Sequence, residues 1–317
     1  MYEILISEEK QLIVLKEPMD GCWINMLDPT PEEIRQISEM MAVEKDFLTA
    51  ALDEEERPRI ESEDGSTLIV TDVPVVESVA GSDSFQYSTM PMGIVVCKEC
   101  IITVCLKKSQ LIKDFLDNRV KTFYTYKKNR FLLQLMYRNA TYYLQYLKQI
   151  DKISNNVEND LHRSMKNKEL ILLLSLEKSL VYFSTSLKSN EIVLEKMLRY
   201  SYANVNIKKY SEDEDLLEDV IIENKQAIEM ANIYSNILSG TMDAFASIIS
   251  NNLNIVMKLL ASITIVMSIP TMISGFFGMN VESIPIAGMQ GSFYVIFGAT
   301  LLICGIVALI LYKKRMF

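Results

Sequence analysis

Two uncharged stretches near the C-terminus decide the fold of this chain: LLASITIVMSIPTMISGFFGMNV at residues 259–281 and FYVIFGATLLICGIVALILY at residues 293–312. A helix needs about 20 apolar residues to cross the hydrocarbon layer of a bilayer, and each stretch reaches that length. Between residues 259 and 312 the only formal charge is Glu282. The sequence therefore predicts a transmembrane hairpin within residues 255–317, with spans at about 257–279 and 293–312.

The charges that flank this hairpin predict its orientation. Lys258 precedes the first span and Lys313, Lys314 and Arg315 follow the second, whereas the loop between them has neither Lys nor Arg. Because positive flanks stay in the cytoplasm, we expect a multi-pass cell-membrane protein with both termini cytoplasmic. The segment MYEILISEEKQ lacks the basic and apolar regions of a signal peptide, which agrees with a cytoplasmic N-terminus.

Residues 1–125 are predicted to form a cytosolic α/β domain. Runs rich in β-formers occur at 4–15, 67–76 and 94–106, and Gly81–Ser84 indicates a loop. Near the start, Thr30 is a good helix N-cap, Pro31 suits the first helical position, and Glu33 completes a capping box.

Residues 126–254 are predicted to form a cytosolic bundle of long helices and a stalk. Neither Gly nor Pro occurs between Phe131 and Ser239, and apolar residues recur at helical spacing. We expect helices at about 131–165 and 168–199, and a third that begins near Ser211 and continues into the first span. The predicted fold class is an α+β membrane protein.

Composition argues against several classes of function. A net charge of −9 disfavours nucleic-acid binding, and the basic, aromatic run at 121–128 is better explained as a domain junction. A single histidine and the absence of a phosphate-binding loop predict neither an enzyme nor an organic cofactor. Cys97, Cys100 and Cys105 could suggest a metal knuckle, but no second Cys pair completes it, so we expect structural cysteines.

The triplet Gly278-Met279-Asn280 ends the first span, which also contains Pro270. Gly and Asn commonly terminate helices, so a C-cap is the ordinary explanation. Magnesium, however, gives up its water shell reluctantly, and a ring of neutral amide oxygens would receive a hydrated ion without trapping it. Since a two-helix hairpin has no interior, any ion path requires several copies of the chain.

The triplet resembles the signature of the CorA-type magnesium transporter family, and the chain is similar to that family at further places along its length. Those places are Trp23-Ile24 with Asp28-Pro29-Thr30, Leu52-Asp53 with Glu56–Glu61, and the stretch from Leu238 to Leu260. The resemblance implies a pentameric funnel that takes up Mg²⁺, with Co²⁺ or Ni²⁺ as alternative cargo. We expect passive flux driven by the membrane potential and gated by intracellular Mg²⁺.

The resemblance also implies roles for individual residues. The selectivity filter would be Gly278, Met279 and Asn280, and Glu282 would be the acid at the outer mouth. The pore-lining residues would be Gly275, Thr271, Ser268, Leu260, Met257, Asn254 and Asp243. Asp219, with Glu77 as a less certain partner, would bind regulatory Mg²⁺ between neighbouring subunits.

Two departures and two alternatives remain open. The stretch Ile284–Ala287 lacks an acid common in the family's loop, and Ser268 (or Ile269) stands where the family often has methionine. A transporter of zinc or another divalent ion from the same superfamily is one alternative. A non-conducting membrane scaffold that senses Mg²⁺ is the other. The expected partners are further copies of the chain, membrane lipid and divalent cations.

Overall fold

The computed structural model describes residues 1–8, 11–78, 85–164, 167–279 and 291–314, with residues 78, 85 and 162–164 described by their backbone alone. The chain divides into two compact units, Met1–Gly240 and Thr241–Phe317. Asn280, Glu282 and the loops at 81–84 and 284–287 lie outside the described residues. The domain boundaries predicted at 125 and 254 stay predictions.

A seven-stranded sheet organises the first unit, with strand order β2-β1-β3-β7-β6-β5-β4. The strands are β1 (Tyr2–Glu8), β2 (Gln11–Leu15), β3 (Cys22–Leu27), β4 (Arg59–Glu63), β5 (Ser66–Ser78), β6 (Phe85–Val96) and β7 (Cys100–Cys105). Neighbouring strands run antiparallel except β3 and β7, which are parallel. That parallel pair lies at the centre of the order and creates a point where two strands end side by side.

The helices of the first unit differ greatly in length. They are α1 (Pro31–Met41), α2 (Lys45–Thr49), α3 (Gln110–Leu116), α4 (Lys128–Ser164) and α5 (Asn167–Arg199), with short 3₁₀ turns at Ala50–Leu52 and Ile207–Lys209. Helix α6 (Ser211–Phe277) begins in the first unit and ends in the second, and α7 (Ser292–Lys313) follows. The predicted starts and ends of α4, α5 and α6 are confirmed to within a few residues.

Alternation along the strands gives the sheet two buried faces. On one face Trp23, Ile69 and Ile94 pack against α3, α4, α5 and the start of α6. On the other face Cys22, Ile24 and their neighbours pack against α1 and α2. The sheet is therefore the middle layer between two layers of helices, and the long helices share a core with it.

The predicted start of α1 and the predicted β-rich runs can be compared with the structure. The capping box is confirmed, because Glu33 N donates to Thr30 Oγ1 at 3.3 Å and Thr30 N donates to Glu33 Oε2 at 2.9 Å. The run predicted at 4–15 consists of two strands, in which Ile4 pairs with Leu15. The structure also contains strands β3 and β4, which the sequence did not predict.

Buried amides join the long helices to strand β5. Asn190 of α5 accepts from Thr71 Oγ1 and Asp72 N and donates to the Asp72 carbonyl, all at 2.9 Å. Asn139 of α4 donates to the same carbonyl at 2.8 Å. Burial raises the pKa of the Asp72 carboxyl to about 6, although the Ser186 hydroxyl partly offsets this effect.

Replacing Asp72 with Asn should change how stability depends on pH. A carboxyl whose pKa is about 6 in the folded chain and 3.8 otherwise binds its proton more tightly when folded. The parent should therefore lose stability as pH rises from about 4 to about 6, and Asp72→Asn should remove that loss, at about 1–3 kcal/mol. Thermal unfolding from pH 4 to pH 8 measures it, with the exposed Asp20→Asn as control. A variant less stable than the parent at pH 8 would contradict the assignment.

Candidate functional site

Within the described residues, three helices are long and apolar enough to span a membrane by length and composition: α5, α6 and α7. Helix α5 packs on β5 and β6, and its apolar residues Leu180, Phe183 and Leu187 are buried in the first unit. The apolar residues of the second unit are instead largely exposed, among them Ile263, Met267 and Leu302. That exposure leaves α7 and the end of α6 as the surfaces suited to lipid or to further protein.

The predicted pore residues fall on one face of α6. At 100° per residue, their positions lie within an arc of about 120°. We call this arc the predicted pore face: Asp243, Asn254, Met257, Leu260, Ser268, Thr271 and Gly275. Every one of these residues is exposed in the chain. An open depression of about 380 Å³ lies along it, lined by residues that include Met257, Leu260, Thr264 and Ser268.

A second face of α6 lies about 150° from the centre of the first. It carries Ser262, which is fully buried, and the half-buried Val266, Ile269 and Ile273. The Cys304 thiol of α7 contacts the Val266 carbonyl at 3.8 Å. Helix α7 thus approaches the second face, and the predicted pore face is left uncovered.

The contact between Cys304 and Val266 has a local cause. Pro270 lies inside α6 and has no N–H, so the carbonyl four residues earlier, that of Val266, lacks its helical donor. A thiol is a weak donor, and it points at that carbonyl from α7. In an apolar setting such a group needs a partner from a neighbouring helix. The sequence predicts no role for Cys304, although the position of Pro270 alone identifies the carbonyl that lacks a donor.

The hydroxyl groups of α6 bond to their own helix. Ser262, Thr264 and Ser268 each donate to a backbone carbonyl three or four residues earlier at 2.8 Å. Thr271 donates to the Met267 carbonyl at 3.2 Å. These bonds leave the oxygen lone pairs of the exposed Thr264, Ser268 and Thr271 on the surface as neutral acceptors.

Helix α6 ends just before the triplet predicted to form the filter. Gly278 N donates to the Ser274 carbonyl at 2.9 Å and Met279 N to the Phe276 carbonyl at 3.4 Å. A Cβ added at Gly278 would lie 3.2 Å from the Ser274 carbonyl oxygen, which is tighter than ordinary contact. The turn therefore favours glycine here and exposes Met279.

The predicted regulatory residues lie apart in sequence and on different elements. Asp219 is exposed on α6, and Glu77 is exposed near the end of β5. Lys107 donates to Glu77 at 2.9 Å and also pairs with Glu54 at 3.2 Å, and these carboxylates raise the pKa of Lys107. Lys107 is not among the site residues predicted from the sequence. Among the described residues, no group of three or more Asp, Glu, His or Cys could hold a metal ion within one chain.

The cysteines considered for a metal knuckle lie within the sheet. Cys97, Cys100 and Cys105 are free thiols and are buried at the ends of β6 and β7. Strands β6 and β7 form a hairpin that turns at Lys98-Glu99, where Cys97 N donates to the Cys100 carbonyl at 2.9 Å. Burial raises the pKa of Cys105 to about 12, so this thiol stays protonated at neutral pH.

Comparison with known proteins gives consistent matches. A family model described as CorA-like Mg²⁺ transporter protein matches residues 19–314. The cobalt/magnesium transport protein CorA of Methanocaldococcus jannaschii is 28% identical over 283 residues, covering 86% of this chain and 84% of that protein. The cobalt/magnesium transport protein CorA of Thermotoga maritima is 20% identical over 320 residues, covering 99% and 88%.

The fold also matches a solved structure. The CorA magnesium transporter of Methanocaldococcus jannaschii superposes with a TM-score of 0.81 at 24% identity. The match covers 98% of this chain and 96% of that one. It extends over the α/β unit, the long helices and the apolar C-terminal helices alike.

Cys304→Ala should destabilise the second unit only while Pro270 is present. The change leaves the Val266 carbonyl without a donor, which we expect to cost about 0.5–1 kcal/mol. In a Pro270→Ala background the new backbone N–H at position 270 can reach that carbonyl, and the cost should vanish. A double-mutant cycle on unfolding of the detergent-solubilised chain measures the coupling. Thr300→Ala, on the same helix, is the control, and equal losses in both backgrounds would refute the pairing.

Proposed function

Because the chain belongs to the CorA-like Mg²⁺ transporter family, we propose that it is a passive, potential-driven channel for Mg²⁺ uptake across the cell membrane. Co²⁺ fits the same proposal, since both curated relatives are named as cobalt/magnesium transport proteins. The membrane potential supplies the driving force, about 4.6 kcal/mol for a divalent ion per 100 mV. With the basic residues beside both spans on the inside, both termini lie in the cytoplasm.

One observation carries this proposal: the exposed face of α6 that collects the predicted pore residues. Helix α7 approaches the other side of α6, so one hairpin cannot enclose water, and further copies must close the path. We propose five copies, as the family resemblance implies, with the predicted pore face of each α6 turned inward. Met257 and Leu260 are both more than half exposed in the single chain, which suits rings that assembly would bury.

The proposed path has three chemically distinct parts. At the outer end the Asn280 amides accept hydrogen bonds from the water shell of Mg²⁺, and Glu282 adds negative charge nearby. Below them Thr271 and Ser268 offer neutral oxygens, because their protons are directed to the backbone. Towards the cytoplasm Met257 and Leu260 form apolar rings that close by dewetting, above Asn254 and a ring of Asp243.

Regulation by internal Mg²⁺ is proposed at the boundary between neighbouring first units. Asp219 offers an exposed carboxylate oxygen, the ligand type that Mg²⁺ prefers. Three such groups do not meet within the described part of one chain, so a neighbour must contribute the rest. Lys107 pairs with one carboxylate oxygen of Glu77 and would compete with Mg²⁺ for this group. Bound Mg²⁺ would hold together acidic surfaces that otherwise repel each other.

Asn280→Ala should reduce Mg²⁺ flux into liposomes at least tenfold. The variant lacks the amide that receives the hydrated ion, and a tenfold loss corresponds to about 1.4 kcal/mol. Asn159→Ala removes an exposed amide from α4 and serves as the control. A panel of Mg²⁺, Co²⁺, Ni²⁺ and Zn²⁺ ranks the ions, and a preference for Zn²⁺ would overturn magnesium as cargo. Flux absent from the parent as well would support a scaffold.

Asp219→Ala should weaken inhibition by Mg²⁺ on the cytoplasmic side. Losing one carboxylate ligand should raise the half-inhibitory concentration by about tenfold, while flux at low internal Mg²⁺ is retained. Glu218→Ala removes the same charge from the next residue, on a different side of α6, and should leave inhibition unchanged. Equal inhibition of the parent and Asp219→Ala would refute this regulatory role.

A further inference from the structure

A cavity of about 550 Å³ opens in the first unit where the parallel strands β3 and β7 end. Its lining includes Leu27 and Cys105, the last residues of these two strands, and residues of α3. In α/β folds, ligands bind beyond the carboxyl ends of parallel strands. The volume also lies within the usual range of small-molecule sites. None of the residues of the proposed ion path lines it.

A buried relay fixes a hydrogen-bond donor at this cavity. The Trp23 indole N–H donates to Thr103 Oγ1 at 2.8 Å, and the Thr103 hydroxyl donates to Asn25 Oδ1 at 3.0 Å. An indole nitrogen can only donate, so Thr103 accepts the first bond. The Thr103 hydroxyl hydrogen makes the second bond to Asn25 Oδ1, which leaves the amide nitrogen of Asn25 as a donor. Asn25 is 9% exposed and lines the cavity. No described residue accepts a hydrogen bond from that nitrogen.

The charges of the lining favour an anion. Lys108 and Lys113 form no ion pair with a described residue, and both line the cavity. The third lysine of the lining, Lys107, is already paired with Glu54 and Glu77. Glu3 is the one carboxylate in the described lining. Two free ammonium groups beside a fixed amide donor match the oxygens of a phosphate.

Part of the cavity lining is apolar. Leu27, Ile112 and Leu116 contribute aliphatic surface, and a free phosphate would leave that surface without a partner. We propose that this cavity binds a nucleoside phosphate, with its phosphate on Lys108, Lys113 and Asn25 and its base against the aliphatic side chains. This proposal does not depend on ion conduction, because no residue of the predicted pore face takes part.

Trp23 supplies the readout, since it is the only tryptophan of the chain and lies two hydrogen bonds from Asn25, the proposed donor to the phosphate. We would titrate the full chain in detergent with AMP and ATP, with EDTA present, and follow Trp23 emission excited at 295 nm. Saturable binding is expected, and adenosine and inorganic pyrophosphate should each bind at least tenfold more weakly than ATP. Binding of pyrophosphate as tight as that of ATP would overturn the role of the aliphatic side. Binding of adenosine as tight as that of AMP would overturn the role of the lysines.

Variants make the test specific. Lys108→Gln with Lys113→Gln should weaken ATP binding at least tenfold, whereas the exposed pair Lys148→Gln with Lys188→Gln removes equal charge and should change nothing. Asn25→Asp keeps the acceptor for Thr103 but replaces the donor by a negative charge, so ATP binding should be lost. No saturable binding to the parent, or equal weakening in both double variants, would overturn the proposal. Mg²⁺ flux of the lysine variants should match the parent, which separates this result from any failure of the proposed channel.

Discussion

Hydrocarbon offers no hydrogen bonds, and this single constraint shapes the C-terminal part of the chain. Backbone N–H and C=O groups in hydrocarbon must form hydrogen bonds within a helix. The two apolar stretches therefore form helices, which are the end of α6 and α7. The same constraint prevents one hairpin from enclosing water. The exposed face of α6 that carries small, polar and flexible apolar residues is therefore suited to contact with further copies of the chain, as proposed above for the ion path.

In the first unit, directional hydrogen bonds hold the long helices α4 and α5 at a fixed position on the sheet. Apolar burial between the layers is not directional, whereas the amides of Asn139 and Asn190 fix one position by bonding to the backbone at Asp72. The carboxyl of Asp72 lies at this junction, and its burial raises its pKa to about 6. The buried carboxylate lowers the stability of the folded chain at neutral pH, while the two amides fix the position of α4 and α5 on the strand.

Much of this architecture could be predicted from the sequence, and the exceptions have physical causes. Long periodic patterns indicated α4, α5 and α6, and the capping box at Thr30 and Glu33 placed the start of α1 correctly. Strand β3 was missed because it is buried on both faces and too short to show alternation. The positions of the predicted pore residues on one helix face follow from spacing alone. The ion pair of Lys107 and the thiol contact of Cys304 could not be predicted, since both join elements far apart in the sequence.

The absence of a backbone hydrogen bond between residue 270 and the Val266 carbonyl affects how α6 can bend. A backbone N–H in that place would resist any change in curvature, but a sulfur contact at 3.8 Å is a soft restraint. Bending of α6 should therefore concentrate in the turn between Val266 and Pro270, directly below Thr271. Because the restraint comes from Cys304 of α7, a change in the angle of α6 at this turn is coupled to the position of α7.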